Sequence, residues 1–588
     1  MNNASLPSWD LTSLYSDFND PAINDDFNDC DKSANEFVKS YSGRIQSLSS
    51  GELHQAIKEY EGIVERLGKL MTYAFLRYAT NSNDSETTKF YQMVQERANE
   101  ITTNLIFFTL DVNKIENDKL AEHYSQSQEL QRYKAWFDSV RAFLPHQLSP
   151  ELEKLMHERA LTSNNSWVRL VDETLNAAKF DFQGQSLTMS EVIDKLGDGN
   201  AQTRKDAAYS LSAGLEQYSL PLTMATNVLL KDKEIEDKWR KFPKPISARN
   251  IINQVEDEVV DALVNSVKGQ YGNLTHRYYQ LKAKWFGVEQ LEYWDRNAPL
   301  PEVQEKAYTW DESVDIVMQA YREFSPELAK IGQKFFDGNW VDVPPKPGKT
   351  SGAFSHPCVT TDHPYILLNF LGKQRDVMTL AHELGHGIHQ VLSAEQGYLL
   401  SDTPLTVAET ASVFGEMMTF KSLLAAADSA EQRKVLLASK VEDMLNTVVR
   451  QIAFHEFEVA VHEKRRQGEL TSDELAEVFL DTQKQALGPA VRLDPIVGCY
   501  WSYITHFIHT PFYVYAYAFG DCLVNTLYGV FESSHPDFVA KYIDLLRAGG
   551  SKTYNELLAP FDLDARDPQF WQLGLKVISS MIDELESL

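Results

Sequence analysis

The chain has 588 residues, 56 Lys+Arg against 84 Asp+Glu and a formal charge of −28. An acidic chain without a cationic cluster cannot neutralise backbone phosphates, which excludes nucleic-acid binding as the primary function, and 43% hydrophobic residues exclude dominant disorder. Four scattered cysteines, Cys30, Cys358, Cys499 and Cys522, form no CxxC pair, which argues against a disulfide framework or a thiolate metal site.

The opening MNNASLPSWDLTSLY shows no basic segment leading into an apolar one, so a secretory signal is not expected and a reducing, cytoplasmic location is. The first 230 residues read as amphipathic helices. Leu53, Ile57, Tyr60, Val64, Leu67, Met71 and Phe75 keep one apolar stripe, and similar patterns cover 86 to 113 and 203 to 236. Lys58, Glu59 and Glu65 fall outside the stripe and read as a solvated face. The Pro/Gly-rich segment Trp340 to Thr350 marks the clearest boundary. Residues 364 to 370, PYILLNF, predict a strand whose edge could receive an extended peptide. Asp376 is the expected N-cap of the helix that follows, VMTLAHELGHGIHQVL.

That helix carries His382-Glu383-Leu384-Gly385-His386. Histidines at i and i+4 lie ~40° apart around a helix and ~6 Å apart along it, so both imidazoles can converge on one Zn²⁺. Glu383, rotated ~100° from His382, is placed for a general base beside the metal. Chance alone would produce this pattern roughly 0.03 times in such a chain. Buried histidines bonded to carbonyls are the plainer alternative. A third ligand is needed, and His389 lies ~10 Å along the axis, which gives it a structural or supporting role. The segment 406 to 418 reads as another helix, with Val407, Ala411, Phe414 and Met418 on its apolar side. Glu409 is the expected third ligand, and Glu416, on the same face, either accepts from a ligand imidazole or is solvated. From Pro495 to Gly520 no residue is formally charged. Its two His, two Pro and several Tyr hydroxyls would be unpaired in a bilayer, so it reads as protein interior, with no membrane partner.

HELGHGIH followed by VAETAS, preceded by YILLNF and DVMTLAHE, resembles the zinc metallopeptidases of the thimet oligopeptidase and oligoendopeptidase F group. The opening WDLTSLY, YWDRNAPL (Tyr293 to Leu300), GKTSGAFS (Gly348 to Ser355) and HTPFYVYAYAFG (His509 to Gly520) are similar to the oligoendopeptidase F branch. Twenty-two residues separate His386 from Glu409. The shorter spacing of thermolysin-like enzymes would fall on Leu405 or Thr406, and Leu392 stands where a metzincin needs its third histidine.

The resemblance implies a mostly α-helical, two-lobed clamshell with a deep substrate channel and a small β-sheet next to the HExxH helix. The expected regions are an N-terminal helical lobe over 1–200, a helical channel wall over 201–345 and a catalytic zinc-peptidase region over 346–588. It further implies one Zn²⁺ per chain, held by His382, His386 and Glu409, and hydrolysis of internal bonds of short peptides by Glu383-assisted attack of zinc-bound water. His506 with Tyr513 or Tyr515, of which Tyr515 is favoured, would contact the scissile carbonyl and stabilise the oxyanion. Phe507, Phe512, Tyr517 and Phe519 are expected to include core-packing residues. A zinc carboxypeptidase or dipeptidase on a similar scaffold, and a non-catalytic helical peptide-binding protein, stay open on the sequence alone.

Overall fold

The computed structural model describes residues 6–160, 162–300 and 306–588. Helix makes up 71% of the structure and strand 3%, so the cores are built by helix-on-helix packing. The chain divides into two compact units, each assembled from three segments. Met1–Leu144, Glu305–Ala426 and Ser534–Leu563 form the first; Pro145–Gln304, Ala427–Ser533 and Asp564–Leu588 form the second. This partition cuts across the regions 1–200, 201–345 and 346–588 expected from the sequence.

The expected boundary fails for a local reason. Val341–Asp342 is a strand, not a linker. The buried Lys349 Nζ donates to Asp342 Oδ1 at 2.6 Å and to the carbonyls of Asp342 and Pro344 at 3.1 and 3.0 Å. Gly348 O accepts from the Ser82 N–H, and the Thr350 N–H donates to Ala79 O. Proline and glycine therefore shape a closed loop inside the first unit.

In that unit the helices Pro21–Tyr41, Ser50–Thr80 and Ser85–Val112 bury Phe27, Phe37, Leu53, Ile57, Leu67 and Phe108 in one core. Ser49 and Glu52 close a reciprocal capping box at the start of the second helix. Tyr365 belongs to the same core. Its ring meets Trp9 edge-on at 5.9 Å, and its hydroxyl lies 2.9 Å from Ser13 Oγ, so the WDLTSLY segment folds onto the sheet. Glu65 is half-buried rather than solvated, because Oε1 accepts from the Thr360 backbone N–H at 2.9 Å.

The expected strand forms over Tyr365–Leu367 and is the centre of a three-stranded sheet, parallel to Val341–Asp342 and antiparallel to Phe354–His356. Both its sides are taken, and Phe354–His356 lies at the sheet's edge, where the Ser355 carbonyl accepts from Gln390 Nε2 at 3.3 Å. The HExxH helix spans Gln374–Ser393. Asp376 sits in its first turn rather than at the cap, with Oδ2 accepting from the Leu371 and Lys373 N–H groups at 2.8 and 3.0 Å.

In the second unit the stripe over 203 to 236 resolves into two helices, Ala201–Glu216 and Ser219–Arg240. The YWDRNAPL segment is anchored there. Buried Arg204 donates to Asp295 Oδ1 at 2.7 Å, and Lys282 Nζ donates to the Arg296 carbonyl at 2.8 Å. The uncharged run supplies a 3-10 stretch, Pro495–Tyr503, a helical turn, His506–His509, and the start of the helix Tyr515–Glu532. Among the described residues no helix is long and apolar enough to cross a membrane.

Candidate metal centre

The HExxH helix and the helix Thr410–Ala425 approach closely because glycine stands where they cross. A Cβ at Gly385 would lie 2.4 Å from Ala411 O, and one at Gly415 would lie 2.0 Å from the Tyr321 hydroxyl and 3.2 Å from Ala381 O. The glycine of the HExxH motif is thus what brings Glu409 to the two histidines. The helix expected over 406 to 418 is broken at Glu409, which lies between the short helix Leu405–Ala408 and Thr410–Ala425 as the latter's N-cap. Val407, Ala411, Phe414 and Met418 are buried as expected.

Glu409 Oε2 lies 3.4 Å from His382 Nε2 and 3.4 Å from His386 Nε2. A tetrahedral Zn²⁺ with bonds of ~2.0 to 2.1 Å needs donor atoms roughly 3.3 Å apart, so the two imidazoles and the carboxylate fit such an ion. Among the described residues these three form the one group of His, Cys, Asp and Glu arranged to hold a metal. His389 does not join them; it is buried, 3.4 Å from Thr403 Oγ1, and burial lowers it to about 4.

Further contacts hold His382 and Glu409 in place. Glu416 Oε2 is 3.4 Å from His382 Nδ1, which leaves Nε2 for an ion. Ser412 Oγ donates to Glu409 Oε2 at 2.6 Å, a contact absent from the sequence-based expectations although i and i+3 spacing signals it. The electrostatics match a cation site. Burial opposes charge on both His382 and Glu409, yet the carboxylates raise His382 to about 9, while His386, His382 and Ser412 hold Glu409 down to about 2. Glu383 is buried, which pushes its carboxyl up against the opposing pull of His382 and His386. The Phe354–His356 strand is tied to this helix, since Ser355 Oγ donates to Gln390 Oε1 at 2.9 Å.

The other expected site residues belong to the second unit. There His506, Tyr513 and Tyr517 form one half-buried cluster: His506 Nε2 is 3.1 Å from the Tyr517 hydroxyl, its ring stacks on Tyr513 at 5.9 Å, and Tyr513 meets Tyr517 edge-on at 5.2 Å. Burial lowers the His506 pKa, which favours the neutral imidazole. Tyr515 points the other way. It is fully buried, donates to Asn250 Oδ1 and accepts from Asn253 Nδ2, both at 2.8 Å. The structure thus groups Tyr517, not Tyr515, with His506 and Tyr513. Helical spacing does not carry the signal, because Tyr513 lies in the turn that precedes the helix Tyr515–Glu532.

The sequence profile of Peptidase family M3 matches residues 196–577, and that of Oligopeptidase F matches residues 112–180. Oligopeptidase PepF of Bacillus subtilis is 29% identical over 563 residues, covering 94% of this chain and 83% of its own. An oligoendopeptidase F homolog of Lactococcus lactis is 27% identical over 604 residues, covering 99% and 97%. The crystal structure of oligoendopeptidase-F from Enterococcus faecium superposes with a TM-score of 0.71 at 19% identity, covering 96% of this chain and 98% of that one. With the family profile spanning well over half of its length and the HExxH histidines grouped with Glu409, this chain belongs to peptidase family M3 and is a metallopeptidase.

Proposed function

We propose that this enzyme is a zinc endopeptidase acting on internal bonds of short oligopeptides, with one Zn²⁺ per chain held by His382, His386 and Glu409. The observation that carries the reading is the pair of 3.4 Å separations from Glu409 Oε2 to the two Nε2 atoms, the spacing zinc requires. Zinc bound there supplies Lewis acidity toward water and the scissile carbonyl. Glu383, one position along the helix from His382 and held in a dry setting, takes the proton of the attacking water and returns it to the leaving amine. Glu416 and Ser412 hold His382 and Glu409 in the ligating orientation. His506 and Tyr513 supply neutral N–H and O–H donors to the developing oxyanion, the role the resemblance to oligoendopeptidase F implies for them, and Tyr517 packs against both.

The test is zinc content and cleavage of internally quenched peptides of graded length. Wild-type enzyme is expected to bind one equivalent of zinc and cut internal bonds. Glu383→Gln is expected to keep the metal and lose ~10² to 10⁴ in rate. A fixed cut one or two residues from a terminus would indicate an exopeptidase, and full activity in metal-loaded Glu383→Gln would remove the assigned base. Zinc affinity unchanged in Glu409→Ala would remove the third ligand.

A further inference from the structure

The turn that carries Tyr513 holds a residue in a conformation it does not favour. Thr510, Pro511, Phe512 and Tyr513 form a four-residue turn closed by the Tyr513 N–H donating to Thr510 O at 3.0 Å. Phe512, at its third position, has φ of +59°. With proline second, a positive φ at the third position ordinarily calls for glycine, and a side chain there costs ~1 to 2 kcal/mol. The conformation sends the Phe512 ring inward, where it is 1% exposed, and leaves Tyr513 half-buried beside His506.

Two side chains from elsewhere in the second unit hold this turn. Glu458, on the helix Val449–Arg465 and 2% exposed, accepts the Phe512 N–H on Oε1 at 2.7 Å. Arg249, on the helix Ser247–Ile252, donates Nε–H to Pro511 O at 3.2 Å and places its guanidinium 5.8 Å from the centre of the Tyr513 ring. His462, one turn beyond Glu458, lays its ring on Phe512 at 4.7 Å. A carboxyl group removed from water at this depth is costly unless its bond has a purpose. Among the described residues, its hydrogen-bond partner is the backbone of the strained Phe512, and its other oxygen, Oε2, has none.

We propose that Glu458 and Arg249 are positioning residues for the peptidase reaction: by clamping the Phe512 N–H and the Pro511 carbonyl they fix the left-handed turn that presents Tyr513 to the substrate. The proposal rests on the reading of Tyr513 as an oxyanion donor. Without the clamp the turn relaxes to negative φ, and Tyr513 shifts together with its contact to His506. Binding of the peptide, which depends on other contacts, is left largely intact, so the loss falls on kcat.

The experiment is a double-mutant cycle between Glu458→Met and Tyr513→Phe, read as kcat and KM on a quenched oligopeptide, with zinc content and circular dichroism checked for each variant. Glu458→Met is expected to lower kcat ~10- to 100-fold with KM little changed. Glu458→Gln, which keeps an acceptor for the Phe512 N–H, is expected to restore the rate, as simple loss of core packing would not require. In the Tyr513→Phe background Glu458→Met is expected to cost almost nothing more. A wild-type kcat in Glu458→Met, or losses that multiply in the double variant, overturns the positioning role while leaving Tyr513 in place. A wild-type kcat in Tyr513→Phe instead overturns the reading of Tyr513, and with it the purpose assigned to the clamp. Should Glu458→Met fail to fold, Arg249→Met takes its place in the cycle, and the same outcomes support or overturn the proposal.

Discussion

Glu416 Oε2 lies 3.4 Å from His382 Nδ1, on the far side of the imidazole from Glu409. The contact restrains the ring and leaves Nε2 facing Glu409, where the proposed zinc would bind. Glu416→Gln, which keeps the size but not the charge, is expected to weaken zinc binding ~10- to 100-fold. Competition against a chelator measures this, and an unchanged dissociation constant would show that Glu416 has no hold on the ligand.

Gly385 separates the ligand histidines and meets backbone where a Cβ would be. Gly385→Ala places that atom 2.4 Å from Ala411 O and 2.7 Å from Ala411 C, so the helices must part. The expected outcome is a loss of about 1 to 3 kcal/mol by denaturant unfolding, accompanied by weaker zinc binding because Glu409 moves with its helix. Substitution at Gly62, which meets nothing within 4 Å, serves as the control.

Tyr515 and Tyr513 should separate stability from catalysis. Tyr515→Phe leaves Asn250 Oδ1 and Asn253 Nδ2 without their hydroxyl partner in the interior, at a cost of about 1 to 3 kcal/mol. Its kcat, measured on folded enzyme, is expected to stay near wild type. A large fall in kcat without a fall in stability would return Tyr515 to the site.

Two buried histidines of the second unit should weaken it as the pH falls. Burial lowers His455 to about 4 and His462 to about 3, below the ~6.5 of an unfolded chain. Between those values the unfolded state binds protons these two imidazoles refuse, so their contribution is full above pH ~6.5 and falls as pH drops toward 4, against the opposite slope of buried Glu458, whose carboxyl is pushed up to about 8. Denaturant midpoints from pH 7.5 to 4.5 measure the slope, and His462→Phe is expected to flatten it. An unchanged slope in that variant would mean that His462 is protonated in the fold.

The grouping of His382, His386 and Glu409 is legible in the sequence because it is local: i and i+4 spacing, with one glutamate at a distinctive distance. The strand at 365–367 is legible for the same reason, but its central place in the sheet is not. Its partners come from Val341–Asp342 and Phe354–His356, and pairing across loops leaves no periodic trace. Trp340 to Thr350 misleads because proline and glycine signal a turn whether or not two bodies meet there; the buried Lys349 that closes it looks in sequence like any surface lysine. Glu65 reads as solvated since nothing near it names Thr360 as its partner. Tyr515 and Tyr517 sit in one aromatic run, and because Tyr513 lies in the turn before their helix, helical spacing does not tell the buried one from the one beside His506.

The order in which the chain builds its two units has a bearing on inheritance and on dissection. The path changes unit five times, after residues 144, 304, 426, 533 and 563. No single cut releases either unit, and a fragment starting at residue 346 would carry the HExxH helix but lack the N-terminal core to which Tyr365 belongs. Such a gene cannot be shortened to its metal-binding half or shuffled as two cassettes, and a premature stop anywhere before residue 564 leaves the second unit without its final helix, Pro568–Ser587.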